Sequence, residues 1–255
     1  MTASLAAMRA ELHAAVAGAP PGIPAANALC VASVGLLGVD GAAVSVVYDG
    51  ASRGTFGSSS ETSRRLDEYQ FTFGEGPCLD AVARREAVLV PDLDSPDERR
   101  WPAFAGAVLG DGIRGVFALP IMVTSMCVGA LDLFRDTPGP MADEQLAGAA
   151  VAAHLASLTL LDLMATDTPD DVPDAGAAAA DDDGWGRLAE LDRIEVYQAT
   201  GVLISQLNVG PAEALVRLRA HAIATGRTAS QVARAVLEDG LELERDGQDG
   251  TGMET

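Results

Sequence analysis

An α+β fold is what this sequence predicts: an antiparallel sheet flanked by helices, followed by a separate three-helix bundle. Three observations lead to it. Apolar, β-branched runs such as AVSVVY at 43–48 read as strands, and the last two of them lie too close together for a helical crossover. Helical periodicity appears before, between and after these runs. Residues 166–184, TDTPDDVPDAGAAAADDDG, carry seven aspartates, two prolines and no basic residue, so they predict a disordered acidic linker.

At 255 residues the chain has room for one large or two smaller domains, and 48% apolar residues supply a core. Aromatics are only 4%, so alanine, glycine and valine must do much of the packing. A net charge of −20 and a pI near 4.3 exclude wholesale binding to nucleic acid or to an anionic membrane. All seventeen basic residues are arginine. Three cysteines, an odd number with no CxxC spacing, are not a disulfide framework. The first twenty residues lack the basic start and long apolar run of a signal peptide. Leu146 to Leu161 has no Asp, Glu or Arg, but is shorter than a membrane span and reads as a buried domain helix. A cytoplasmic protein without a membrane partner is expected.

In chain order, 1–18 and 24–39 read as helices separated by the Pro20-Pro21-Gly22 breaker. Asp40-Gly41 is a turn. Strand 43–48, the Asp49-Gly50 turn and strand 52–58 form a hairpin. A polar helix over 60–69 places Glu61 and Arg65 at i, i+4. Phe71 to Asp80 reads as a rigid loop, with Pro77 opening a helix to about Arg85. Residues 87–90 form a short strand, 91–96 an acidic loop and 101–109 a helix. Strands 115–120 and 127–134 are joined by 121–126, and 143–164 is a long helix. The count is five or six strands, antiparallel rather than βαβ.

The strand AVSVVY, the loop GEGPCLDA at 74–81, VPDL at 90–93, and GVFALPI followed by GALDLF make residues 25–165 resemble a GAF domain. The resemblance implies a small-molecule ligand held in a pocket beside the sheet, or a dimerisation module. It names no cofactor.

No enzyme constellation accompanies this part: GxxxxGK[ST], HExxH and GxSxG are all missing. The histidines stand far apart at 13, 154 and 221, so no metal site is expected. His154 lies on a helix expected to pack near the sheet, from where it could ligate haem. Cys78 sits at a predicted helix N-terminus, where the dipole lowers a thiol pKa. It is a candidate for redox chemistry or covalent ligand attachment, against the plainer reading of a buried packing residue. Trp101 and Phe104 are candidates for lining the pocket, and core packing explains them equally well.

The C-terminal segment carries three helical patterns. The first runs from about Leu188 to Leu207. Val196, Ala199, Leu203 and Leu207 form one apolar row, and Ile194, Tyr197, Gly201 and Ile204 a second. Apolar cover of more than half the circumference predicts burial in a bundle or a dimer seam. Gly210 is a cap and Pro211 the first residue of the second helix, which runs to about Ala224. Its inner face is Ala214, Leu215, Leu218 and Ala222, with Glu213 and Arg217 paired outside. Thr228 and Gln231 fit a capping box for a third helix whose inner face is Val232, Ala233, Val236 and Leu237. Between Arg193 and Val236 five arginines face two glutamates, a local balance of about +3 in an acidic chain.

Ala199, Thr200, Gly201, Val202 and Leu203, then Ala214, Leu218, Arg219 and Ala222, then Arg227, Thr228, Val232 and Ala233 resemble the ANTAR domain in order and spacing. That resemblance implies a bacterial regulator that grips RNA stem-loops as a homodimer and prevents transcription termination. Together with side-chain chemistry, by which Gln198 can read a base edge, it makes Gln198, Thr200, Gly201, Arg217, Arg219 and Arg227 the candidate RNA contacts. Arginine planes suit stacking on splayed loop bases. Thr200 stands where the family often has Lys, keeping a hydroxyl and losing a charge. Gly201 reads more as a helix-packing glycine than as a ligand contact.

The expected organisation is a helical lead-in over 1–24, the GAF-like sensor over 25–165 and the acidic linker over 166–185. The ANTAR-like domain follows over 186–245, and a tail over 246–255. The competing reading keeps the sensor and makes the C-terminal bundle a scaffold for dimerisation or protein contacts, without RNA.

Overall fold

A computed structural model of the chain describes residues 4–48, 51–165 and 193–243. The chain divides into two compact units, Met1–Asp192 and Arg193–Thr255. The predicted Asp49-Gly50 turn, the acidic linker 166–185 and the tail 246–255 lie outside the described residues.

The first unit is built on β1 (Gly41–Tyr48), β2 (Ala51–Ser58), β3 (Val88–Val90), β4 (Gly115–Val123) and β5 (Met126–Arg135), in the order β2-β1-β5-β4-β3. Every neighbouring pair is antiparallel. Alternation sorts the side chains: Ala42, Val44, Val46, Phe117, Leu119, Ile121, Leu131 and Leu133 point to one face. There they bury α1 (Leu5–Ala17), α2 (Ile23–Leu37) and α6 (Asp143–Ala165). Val47, Val116, Ala118, Ala130, Asp132 and Phe134 point the other way, toward α3 (Glu61–Phe73), α4 (Pro77–Arg84) and α5 (Pro102–Gly110). The unit is thus three layers with the sheet in the middle. Fully buried side chains such as Phe56, Phe117 and Leu131 each stabilise it by about 1.5–3 kcal/mol.

Several boundaries differ from the sequence reading. β1 begins at Gly41, inside the predicted turn, because Gly41 already pairs with Phe134 of β5. α3 continues through Phe71, Thr72 and Phe73, placed in the loop by sequence; Phe71 and Thr72 are buried, and the helix stops only at left-handed Gly74. β4 and β5 extend to Val123 and Met126, so the expected connection 121–126 shrinks to a two-residue turn at Thr124-Ser125. α6 is longer than its uncharged stretch and, by length and composition alone, could cross a membrane. In the fold, half of that apolar window is buried, with Ala149, Ala152, Leu155, Ala156 and Leu160 inside the core.

The second unit contains α7 (Ile194–Leu207), α8 (Pro211–Ala224) and α9 (Ala229–Glu238). α7 starts at Ile194, where Arg193 leaves the helical region and serves as its N-cap; the predicted start near Leu188 lies outside the described residues. Left-handed Asn208 ends it. Pro211 opens α8 behind Gly210. The capping box of α9 is present in both directions, Thr228 Oγ1 accepting from the Gln231 N–H and Gln231 Oε1 from the Thr228 N–H. Val196, Ala199, Leu203, Leu207, Ala214, Leu218, Ala222, Val232, Ala233 and Val236 close the bundle core. Leu237, expected inside, is exposed; Ala235 is buried instead.

Candidate functional site

In the first unit Trp101, Phe104 and Cys78, singled out by sequence, are packed away. Trp101 and Phe104 are buried in one cluster with Leu66, Ala81, Val88 and Val90, so they are core rather than pocket wall. α5 is fixed there by Glu75, whose Oε1 accepts the N–H groups of Ala103 at 2.8 Å and Phe104 at 3.0 Å, where helix dipole and carboxylate attract. Cys78 does begin α4, but it is fully buried with Val47 and Ala130. Burial, followed by the charges of Asp132 and Asp67, pushes its thiol well above the usual range. The expectation of a lowered thiol pKa is therefore overturned, since desolvation outweighs the helix terminus. Cys30 is pushed up to about 12, chiefly by burial. Cys127 is raised by the same cause at a half-buried site.

The polar cluster around Cys78 was not singled out from the sequence. Asp132, on the middle of β5, is wholly buried. Its Oδ2 accepts from Ser45 Oγ and from Gln70 Nε2, each at 3.2 Å. Gln70 uses its other end, Oε1, to accept the N–H of Cys78 at 2.7 Å. Gly76, at φ 145°, lets the chain pass here, because a Cβ would stand 2.5 Å from Gln70 Oε1. Asp67, also buried, accepts from Ser52 Oγ at 2.9 Å and Thr55 Oγ1 at 2.7 Å. Burial first, then the charge of Asp67, raises the Asp132 carboxyl to about 7. An Asp in an apolar strand is hard to read from sequence; the surrounding Ser45, Gln70 and Asp67 on neighbouring elements were its only signal.

A cleft of about 350 Å³ lies where the chain enters β3, lined by Arg85, Glu86, Leu119, Pro120, Met122 and His154 among others. His154 is thus on a surface rim. Among the described residues, no group of three or more His, Cys, Asp or Glu is placed to hold a metal ion.

In the second unit the predicted RNA-contact residues divide. Gln198 and Gly201 lie on the exposed stripe of α7, and a Cβ at Gly201 would meet nothing within 4 Å, so Gly201 packs against no helix of this unit. Thr200 points inward, and its hydroxyl donates to the Val196 carbonyl at 2.7 Å. Arg217 is held by Glu213 at 2.8 Å, the pair predicted from spacing. Arg227 donates to the Gln231 carbonyl at 3.0 Å, at the start of α9. Arg219 is half-buried: burial, then the nearby charge of Arg193, lowers its pKa. Arg234, counted in the basic excess but not singled out, is exposed beside Glu195 at 4.0 Å. The second apolar row of α7 is largely uncovered, with Ile194 53% and Tyr197 44% exposed; on α8, Val216 is 62% exposed.

The model of the GAF domain matches residues 25–160, more than half of the chain. The chain belongs to the GAF domain family. A second model, the ANTAR domain, matches residues 187–237 and covers all three helices of the second unit. This GAF protein is similar in structure to the GAF domain of a phosphoenolpyruvate-protein phosphotransferase from Coxiella burnetii. Their identity is 21%, over 60% of this chain and 91% of that one, with a TM-score of 0.47. The corresponding Acinetobacter domain gives 11% identity, 62% and 94% coverage, and a TM-score of 0.49. No curated protein matches the sequence. Both domain types in this GAF protein are regulatory rather than catalytic.

Proposed function

We propose that this protein is a signal-responsive regulator that binds RNA hairpins and prevents transcription termination, with the GAF unit sensing a small signal. The observation that carries the reading is the ANTAR match over 187–237, where the stretch from Arg193 to Val236 sets five arginines against two glutamates. The remainder of the chain is acidic, so attraction to phosphate is confined to this stretch. Gln198, Gly201, Arg217 and Arg227 are the surface contacts, with Arg219 half-covered behind them. The buried hydroxyl of Thr200 supports a packing role for that residue. The working division is 1–24 lead-in, 25–165 sensor, 166–185 acidic connection, 186–245 RNA-binding domain and 246–255 tail. It works as a cytoplasmic homodimer, supported by the apolar surface of α7.

The test is binding of the full chain to a panel of hairpin RNAs at several salt concentrations. Loop-selective binding that weakens with salt is expected. A folded, dimeric chain that ignores every hairpin would overturn the reading and leave a scaffold role.

A further inference from the structure

Asp132 is an unusual residue for the middle of a central strand. Its strand neighbours across the sheet, Ala43 on β1 and Ala118 on β4, are small and apolar. Its Oδ1 is buried and meets no nitrogen or oxygen partner, while Oδ2 takes both hydrogen bonds. A carboxylate kept dry in this way normally faces a cation, because burial of an uncompensated charge costs several kcal/mol. Here the groups that face it are Ser45 from β1, Asp67 and Gln70 from α3, and Cys78 from α4. Cys30 of α2 feels its charge through the sheet. None of these is a cation, and two of them, Asp67 and the Cys78 thiol, are acids.

The arrangement is better matched to the neutral carboxyl. A proton on the open Oδ1 removes the buried charge and its repulsion with Asp67. Oδ2 then remains the acceptor for Ser45 and Gln70. Gln70 is the joint of the cluster, because one amide bonds both to Asp132 on the sheet and to the backbone N–H that begins α4. Whatever strains Asp132 is therefore passed to α3 and α4 together.

We propose that Asp132 is a proton-binding switch in the GAF unit: protonated, it seats Gln70, α3 and the start of α4 on the sheet, and ionised, it loosens them. The signal it reads is pH in the neutral range, since burial places its ionisation near 7. The sign follows from linkage. The folded carboxyl holds its proton at higher pH than an unfolded aspartate, whose ordinary value is 3.8. Stability is therefore fully present below that ordinary value and is lost as pH rises toward 7, where the loss levels off.

The test uses the full chain with Trp185→Phe, so that Trp101 alone reports unfolding of the GAF unit. Urea unfolding is measured from pH 5 to 8. The unfolding constant should rise by up to about tenfold per pH unit until it flattens near 7, corresponding to one proton. Asp132→Asn, which mimics the neutral carboxyl, should lose that rise relative to the parent. Asp67→Asn should keep it but flatten at lower pH, because the repelling charge is gone. A parent and an Asp132→Asn variant with parallel pH curves would overturn the proposal, even if the variant were less stable. Should Asp132→Asn not fold, carbon-13 titration of the parent carboxyls decides: a midpoint near 7 assigned to Asp132 supports the switch, and a midpoint near 4 for Asp132 sinks it. No outcome here depends on RNA.

Discussion

Gly57 of β2 and Ala26 of α2 meet with no space between them. A Cβ on Gly57 would lie 2.7 Å from the Ala26 Cβ and 2.8 Å from its carbonyl carbon. The contact is to backbone, so it cannot be relieved by turning a side chain. It sets how closely the helical layer approaches the sheet. Gly57→Ala is expected to destabilise the GAF unit by about 1–3 kcal/mol, the range for overpacking a core. Urea denaturation followed at Trp101 checks this, and an unchanged midpoint would mean that α2 is free to move outward.

Arg217 and Arg227 should each supply one phosphate contact in the proposed RNA complex. Arg217→Gln and Arg227→Gln should weaken binding evenly across hairpin sequences. Each should reduce the slope of log affinity against log salt by about one unit. A loss confined to one RNA sequence would instead point to a base contact.

Thr200 provides a contrasting case. Its hydroxyl is spent on the Val196 carbonyl inside the helix. Thr200→Val keeps the shape and gives up that bond, so helix stability should change by less than about 1 kcal/mol. RNA affinity should stay within about twofold of the parent, equivalent to less than about 0.5 kcal/mol. A tenfold loss in an equally stable variant would show that Thr200 turns outward to the RNA.

The three thiols should separate cleanly in alkylation at pH 8. Cys127 is partly accessible and should react in the folded protein. Cys30 and Cys78 are buried and their thiols are raised by that burial, so they should react only as fast as the GAF unit opens. Mass spectrometry of time points reads the order; early modification of Cys78 would contradict its burial.

The architecture is legible along the chain because its signals are local. Alternation in AVSVVY and GALDLF, Pro77 and Pro211 at helix starts, and the Thr228–Gln231 box act within a few residues, and each is realised at its position. The spacing of Glu213 and Arg217 likewise fixed their ion pair. Boundaries failed where a distant partner decided them, as when Phe134 drew Gly41 into β1 and the core held Phe71 and Thr72 in α3. The tertiary structure alone decided the character of the sites. Cys78 stands where a helix terminus lowers a thiol pKa, yet the fold closes over it, and desolvation outweighs the dipole. Asp132 on β5 stands 62 residues from Gln70 on α3 and farther still from Asp67 on the same helix, and only the packing of that helix on the sheet makes them one cluster. Burial and charge proximity are properties of the folded chain, so no pattern along the sequence announces them.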